Sequence, residues 1–312
     1  MIIDFDSMKI LITGSQGFLA RNLSKKLSRF GYICYGVGRG KWKDNAHKKW
    51  GYYKNINGTI NVKNLQLLKN IKFDYIVHCA GGSSPNTNII NSISRDQDYE
   101  KNVTSIFTVL SYFSKFKKKP KIIFISSISV YGNVKSKKIK EENNLNPISN
   151  YSFNKAIAES FCKKFYEEKK MDILILRGSS LYGPGLKRQF IYDACSKISK
   201  KKKNFFGTGK EIRDFMNIYD FTDLIKCIIF KGFGGYNIVN AGTGVGTKIS
   251  MVISYISMKF KIKLKPKFNK FGKDVNPISL VPDIGKSKDY DWYPKINLYK
   301  GLDDYIDWFK ND

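Results

Sequence analysis

Histidine is almost absent from this chain: His47 and His78 are the only two in 312 residues, which leaves zinc clusters and Ser-His-Asp triads almost no material to work with. Cysteine is also sparse. Cys34, Cys79, Cys162, Cys195 and Cys227 stand apart with no C-x-x-C pair, which excludes a disulfide framework and leaves reduced, space-filling thiols. No apolar run reaches bilayer-spanning length, and Met1-Ile2-Ile3-Asp4-Phe5-Asp6 carries acids where a secretion signal needs bases. A cytoplasmic protein with no membrane partner is expected. Arginine is the last scarcity: it occurs only at 21, 29, 39, 95, 177, 188 and 213, so nearly all of the +29 net charge is lysine. Lysine dispersed among abundant asparagine and isoleucine is what an A/T-rich gene encodes readily. The densest clusters, Lys115–Lys119 and Lys200–Lys203, read as solvated faces, and no nucleic-acid partner is expected.

What the chain does have is alternation. With 42% hydrophobic residues it can bury one large α/β domain or two joined ones. Lys9 to Thr13 predicts a buried strand that stops at Gly14-Ser15-Gln16-Gly17-Phe18-Leu19-Ala20. Leu19, Leu23 and Leu27 then carry helical spacing to about Phe30, and Gly31 ends the helix. Strand, glycine turn and helix are the setting of a dinucleotide fingerprint. Gly14 permits the tight turn, Gly17 lets backbone approach a pyrophosphate, Ala20 lets the helix lie close on the sheet, and the helix N-terminus offers free N–H groups. A second strand, Tyr32 to Val37, runs into Gly38-Arg39-Gly40. The acid that usually holds the ribose hydroxyls of NAD is missing there and Arg39 follows, which suits a 2′-phosphate and favours NADP over NAD.

Trp42 to Gly58 reads as irregular, with a short strand near Tyr52-Tyr53, and a helix is expected around Leu65–Leu68. Tyr75 to Ala80 is the next strand, with His78 a buried strand residue and Gly81-Gly82-Ser83 following. Tyr99 to Phe116 predicts one long helix with Asn102 beside its apolar face. Lys121 to Ser126 is a strand leading into Ser127, Tyr151 to about Lys169 a helix, and Asp172 to Leu176 a strand. This alternation predicts an α/β fold, a Rossmann-like doubly wound parallel sheet with the glycine turns and Ser127 along one edge. The division expected is a cofactor-binding domain over 1–176 and a smaller, interleaved substrate domain over 177–312, with about 212–242 returning to the first. Within Tyr151-Ser152-Phe153-Asn154-Lys155, the tyrosine and lysine project from one helix face a turn apart. An ammonium there favours phenolate and draws a phenol pKa of about 10 towards neutrality.

In order and spacing, these elements resemble an extended short-chain dehydrogenase/reductase acting on nucleotide sugars. The resemblance covers nearly the whole chain. It rests on Thr13-Gly14-x-x-Gly17-x-x-Ala20, His78-Cys79-Ala80-Gly81, Asn102, Ser126-Ser127-x-x-Val130-Tyr131-Gly132, Tyr151-x-x-x-Lys155, Arg177 with Tyr182-Gly183-Pro184-Gly185, Gly207-x-Gly209 with Arg213-Asp214-Phe215, and Trp292-x-Pro294. It implies that Ser127 hydrogen-bonds the reacting sugar oxygen, Tyr151 exchanges its proton, and Lys155 binds the nicotinamide ribose and depresses the tyrosine pKa. It implies further cofactor contacts from Gln16, Phe18, Leu19, Asn55, Ile56, Ala80, Gly81 and Asn102, the last bracing the scaffold rather than reacting. For the substrate it implies Ser83, Ser180, Gln189, Phe190, Phe206 and Arg213, the arginine on the diphosphate; Ser180 stands where many relatives carry asparagine. Relatives commonly pair the helix near Tyr99 with the helix of Tyr151 in a homodimer.

Dehydratases of this kind carry an acidic pair just after the catalytic Ser/Thr, where this chain has Ile128 and Ser129. The reductases that also epimerise carry Cys and His where Ser129 and Gly185 stand. Two chemistries at C4 of the sugar remain. One is NAD(P)H-dependent reduction of a 4-keto-6-deoxy hexose for surface polysaccharide such as O antigen; the other is 4-epimerisation with tightly bound NAD. Arg39 and the missing acid lean towards the reductase. A non-catalytic nucleotide-binding or RNA-binding protein on the same fold stays open.

Overall fold

A computed structural model describes residues 8–40, 42–43, 45–82, 92–269 and 277–312. In chain order its first elements are β1 (Lys9–Thr13), α1 (Phe18–Arg29), β2 (Ile33–Gly38), α2 (Ala46–Lys49), β3 (Tyr52–Asn57), α3 (Val62–Gln66) and β4 (Tyr75–His78). They are followed by α4 (Ser92–Tyr99), a π-helical turn over Glu100–Thr104, α5 (Ser105–Phe113), β5 (Lys121–Ser127), a 3-10 turn over Ile128–Tyr131, α6 (Asn150–Lys169) and β6 (Ile173–Gly178). The remainder comprises β7 (Ser180–Tyr182), α7 (Gln189–Ser199), β8 (Asn204–Phe205), β9 (Ile212–Arg213), β10 (Phe215–Asn217), α8 (Ile218–Lys231) and β11 (Tyr236–Ala241). It closes with β12 (Thr247–Lys248), α9 (Ile249–Lys259), β13 (Lys267–Phe268), β14 (Ser279–Leu280), α10 (Gly285–Lys288) and α11 (Leu298–Asn311).

The chain divides into two compact units. The first is Met1–Ser126, Phe153–Arg177 and Ile225–Val239; the second is Ser127–Ser152, Gly178–Leu224 and Asn240–Asp312. The first is built on a seven-stranded parallel sheet in the order β11-β6-β5-β4-β1-β2-β3. Ile10, Leu11 and Ile12 of β1, and Ile122, Ile123 and Phe124 of β5, are fully buried, as strands covered by helices on both faces require. Each such side chain stabilises the fold by roughly 1.5–3 kcal/mol. The chain winds outward from β1 to β3 and then restarts at β4 in the other direction. The switch therefore falls between β1 and β4, and ligands of doubly wound sheets bind at the carboxyl ends of the strands flanking such a switch.

The second unit is assembled from short pieces: a β10-β7 pair, a three-stranded sheet in the order β12-β9-β14, and a β13-β8 pair, with α9 packed against α7, α11 and β12, and α11 against β10. Strands of two or three residues carry no readable alternation, so only tertiary pairing fixes them.

Two elements differ from expectation. The stretch after Trp42 holds α2 and the full six-residue strand β3, because parallel pairing with β2 from Cys34↔Tyr52 to Gly38↔Asn57 organises a segment whose polar composition hides it. The helix expected from Tyr99 starts earlier, at Ser92, and is interrupted by the π-helical turn around Asn102.

Candidate active site

Of the cofactor candidates, Gly14, Ala80 and Gly81 lie at the switch point in the first unit. Gly14 has φ +68°, and a Cβ there would lie 2.9 Å from the backbone of Ala80. Only glycine allows both the left-handed turn and this approach of β1's end to β4's end. Gly17 is the N-cap of α1 with no side-chain cap on it, so the first amides of the helix face outward as anion donors. Tyr52 ties this turn down from β3: its single hydroxyl proton is shared between the carbonyls of Ser15 and Ala20, each 3.0 Å away. A loop of glycines with a helix N-terminus held beneath it is the cradle a dinucleotide pyrophosphate requires, and these residues fit that group.

Around the cradle, Phe18 is buried and Leu19 half-buried in the first turn of α1. Gln16 reaches over Gly40, where its amide oxygen occupies the place a Cβ would take. A Cβ on Gly38 would meet Ser15 Oγ at 2.8 Å, so the end of β2 has no acid and little space for one. Arg39 follows, exposed. Asn55 lies half-buried in β3, its Nδ2 donating to Asn57 Oδ1 at 2.8 Å, with Ile56 beside it packed on the core.

Gly81, Asn102 and Lys155 meet. A Cβ on Gly81 would lie 2.8 Å from Asn102 Oδ1 and 3.2 Å from Lys155 Nζ. The Asn102 amide is fully committed: Oδ1 accepts from Gly82 N at 3.1 Å, and Nδ2 donates to the Asp98 carbonyl at 3.1 Å and to its Oδ1 at 3.0 Å. Asp98 Oδ2 in turn accepts from Asn154 Nδ2 at 2.7 Å. These bonds tie the loop after β4, through Asn102 and Asp98, to the helix turn that carries Lys155. Lys155 itself is 4% exposed. Its Nζ donates to the carbonyl of Ile125 at 2.9 Å and lies 4.8 Å from the centre of the Phe124 ring. Burial draws its pKa down to about 8, with Glu159 opposing.

His78 is a packed strand residue. Ser105 Oγ donates to the Lys101 carbonyl at 2.6 Å, so it accepts from His78 Nε2–H at 3.1 Å. Nδ1 then accepts from Thr13 Oγ1 at 3.0 Å, and Thr13 accepts from Ala80 N at 3.3 Å. This chain of bonds assigns the neutral Nε2–H tautomer, and burial pushes the pKa down to about 3.

In the second unit, Ser127 opens the 3-10 turn after β5. Its Oγ accepts from Ser129 N at 3.2 Å and sits 2.9 Å from Ser129 Oγ. Tyr151 stands near the start of α6, fixed by a reciprocal cap: Ser149 Oγ accepts from Ser152 N at 3.2 Å, and Ser152 Oγ accepts from Ser149 N at 3.0 Å. The helix continues unbroken to Lys169, so Tyr151 and Lys155 are successive turns of one element.

Among the substrate candidates, Ser180 N donates to the Asp214 carbonyl at 3.0 Å and Ser180 pairs with Phe215 across β7 and β10. Phe190 lies 5.8 Å from Phe215, ring to ring, next to Gln189, whose φ of +68° is unusual for a residue other than glycine. Arg213 is half-buried in β9, its Nη1 on the carbonyl of Ile212 at 2.9 Å; burial draws its pKa down to about 10 and Glu211 partly offsets this. Ser180 and Phe190 thus both meet Phe215 of β10, and Arg213 lies two residues before it on β9. Phe206 is 52% exposed under the ammonium of Lys197 at 4.5 Å. Ser83 lies outside the described residues.

The model of the NAD dependent epimerase/dehydratase family matches residues 10–242. The chain belongs to this family. Similar proteins include a putative UDP-glucose 4-epimerase of Methanocaldococcus jannaschii, 27% identical over 97% of this chain and 99% of its own. In fold, the chain is similar to the UDP-glucose 4-epimerase of Thermotoga maritima with UDP-glucose, TM-score 0.86 at 23% identity over 97% and 99% of the two chains. It is also similar to the UDP-glucuronic acid 4-epimerase of Bacillus cereus with UDP-glucuronic acid and NAD, TM-score 0.87 at 23% identity over the same shares.

Beyond the residues marked by motif, Asp98 and Glu159 hold the site together, and Ser129, marked only as standing where relatives carry an acid, bonds Ser127. Asp98 carries no signal on its own. Glu159 does carry one: it follows Lys155 by four residues and shares a helix with the buried Ala158 and Cys162, and an acid at buried spacing needs a partner. Among the described residues no group of His, Cys, Asp and Glu is suited to hold a metal.

Proposed function

We propose that the protein is an NAD-dependent 4-epimerase of a nucleotide-linked hexose, of the UDP-hexose class. The observation that carries this reading is the pair Tyr151 and Lys155 on one helix, with Ser127 followed by Ile128 and Ser129 in place of acids. That set moves one proton at one sugar oxygen and has no additional acid and base for eliminating water. The full-length similarity to a putative 4-epimerase supports C4 as the position.

When bound, NAD would supply a reversible hydride acceptor for the sugar carbon. The chain supplies the rest. Tyr151 as phenolate removes the hydroxyl proton and returns it on reduction. Lys155 keeps a cation beside the ribose and favours the phenolate. Ser127 Oγ accepts the Ser129 amide, and where the Ser129 hydroxyl also donates to it, its own proton is left for the sugar oxygen. Proton transfer of this kind contributes about 10²–10⁴ in rate. Arg213 suits the diphosphate, because a guanidinium fork pairs with phosphate oxygens.

One observation favours a second reading, reduction of a 4-keto-6-deoxy sugar by NADPH: Ser15 occupies the space beside Gly38 where an acid would stand, and Arg39 is exposed. Incubating the protein with UDP-glucose or UDP-galactose and no added cofactor tests the epimerase. Stoichiometric oxidation of NADPH by a 4-keto sugar, without epimer formation, supports the reductase instead. A homodimer is part of the proposal: Phe107 of α5 and Phe153 of α6 are 41% and 56% exposed, apolar surface that an isologous pairing would cover.

A further inference from the structure

We propose that Glu159 is a positioning residue of the active site: gripped by Ser126 and Arg177, it fixes α6 against β5 and keeps an anion one turn beyond Lys155. The inference rests on the proposed role of Lys155 at the cofactor ribose, and goes beyond it by assigning the group that holds that lysine in place and charged.

The geometry lies wholly within the first unit. Glu159 and Arg177 are each 3% exposed. Arg177 Nη2 donates to Glu159 Oε2 at 2.6 Å, and Nε lies 3.1 and 3.2 Å from the two carboxylate oxygens. The Ser126 hydroxyl donates to Glu159 Oε1. Ser126 is the residue between Ile125, whose carbonyl takes the Lys155 ammonium, and Ser127. Successive turns of α6 are therefore bonded to successive residues of β5, a register set by two adjacent pins. A helix shifted on the strand would break both at once.

The charge matters as much as the register. Glu159 and Cys162 approach Lys155 from its own helix, Cys79 from the end of β4 and Asp98 from α4; His78 faces it from β4 and stays neutral. Arg177, from β6, neutralises part of the carboxylate. Glu159 is the largest influence opposing the burial that draws the lysine's proton away. A buried pair of this kind is weak evidence for stability, since desolvation offsets the attraction. Its retention beside Lys155 is better explained by what it does for the ammonium.

The test is the pH dependence of NADH binding, followed by nicotinamide fluorescence with no sugar present, for wild type, Glu159→Gln and Ser126→Ala. Wild type is expected to lose affinity as Lys155 deprotonates. In Glu159→Gln the midpoint moves to lower pH by about a unit, a shift that loss of packing alone does not produce. An unchanged midpoint overturns the proposal. Ser126→Ala keeps the ion pair and removes one pin, so it remains informative if Glu159→Gln does not fold. It is expected to bind NADH with the wild-type midpoint and to turn over sugar several-fold more slowly at unchanged KM. A wild-type kcat in Ser126→Ala overturns the register half of the proposal. If wild type binds no NADH at any pH, the functional reading fails, a result distinct from either outcome for the variants.

Discussion

The Lys155 ammonium donates to the carbonyl of Ile125 at 2.9 Å, one strand residue before Ser126 and two before Ser127. This bond makes the lysine part of the sheet edge as well as of the helix. It also places a cation, buried and with a pKa drawn down to about 8, against Gly81 and Asn102 at the switch point of the sheet.

Lys155 therefore has opposite effects on stability and on binding. Its folded pKa lies below its unfolded value, so the unfolded chain binds more protons between the two. The cost of burying the ammonium is present in full below pH about 8 and falls away as pH rises, by about 1.4 kcal/mol per unit. Lys155→Met is expected to unfold at higher temperature than wild type at pH 7, with the difference shrinking towards pH 10 in calorimetry. NADH affinity of the variant is expected to be weak and flat with pH.

Replacing Tyr151 by Phe removes the proton donor and keeps the ring. Cofactor binding should stay within about twofold, and turnover should fall by about 10² or more, measured as kcat beside NADH titration.

Gly14→Ala faces both a left-handed φ of +68° and backbone 2.9 Å from the new Cβ. Gly31 has φ +88° with nothing within 4 Å. Strain alone costs about 1 kcal/mol and strain with collision about 1–3 kcal/mol. Thermal melts should therefore rank Gly14→Ala below Gly31→Ala, and only the former should lose NADH binding.

His78 stays neutral in the fold, its pKa pushed down to about 3 by burial, while the unfolded chain protonates near pH 6.5. The stability it contributes is whole above pH 6.5 and is lost as pH falls towards 3. The melting-temperature gap between wild type and His78→Asn should narrow over that window.

Arg39 decides between the two cofactors. If it receives a 2′-phosphate, Arg39→Ala weakens NADPH binding about tenfold and leaves NADH unchanged, a contrast read by fluorescence titration.

The strands of the first unit and the glycine turn were legible because each carries its own signal: Ile10 to Ile12 in an unbroken apolar run, Gly14 and Gly17 at the fingerprint spacing, Tyr151 and Lys155 at one helical turn. β3 was legible only at Tyr52-Tyr53, because Lys54, Asn55 and Asn57 are polar and pairing with β2 holds them in the strand. The π-helical turn was not legible, since it arises from the hold of Asp98 and Gly82 on the Asn102 amide. The same holds for Glu159: its spacing marks it, but Ser126 and Arg177 come to it from β5 and β6, neighbours only in the folded sheet.

Incubation of the protein with UDP-glucose deuterated at C4 tests the account most directly. UDP-galactose is expected to retain deuterium at C4, with no net change in NADH absorbance, because the hydride leaves and returns within one active site. Loss of the deuterium to solvent, or no epimer formed while NADPH is consumed by a 4-keto sugar, would contradict it.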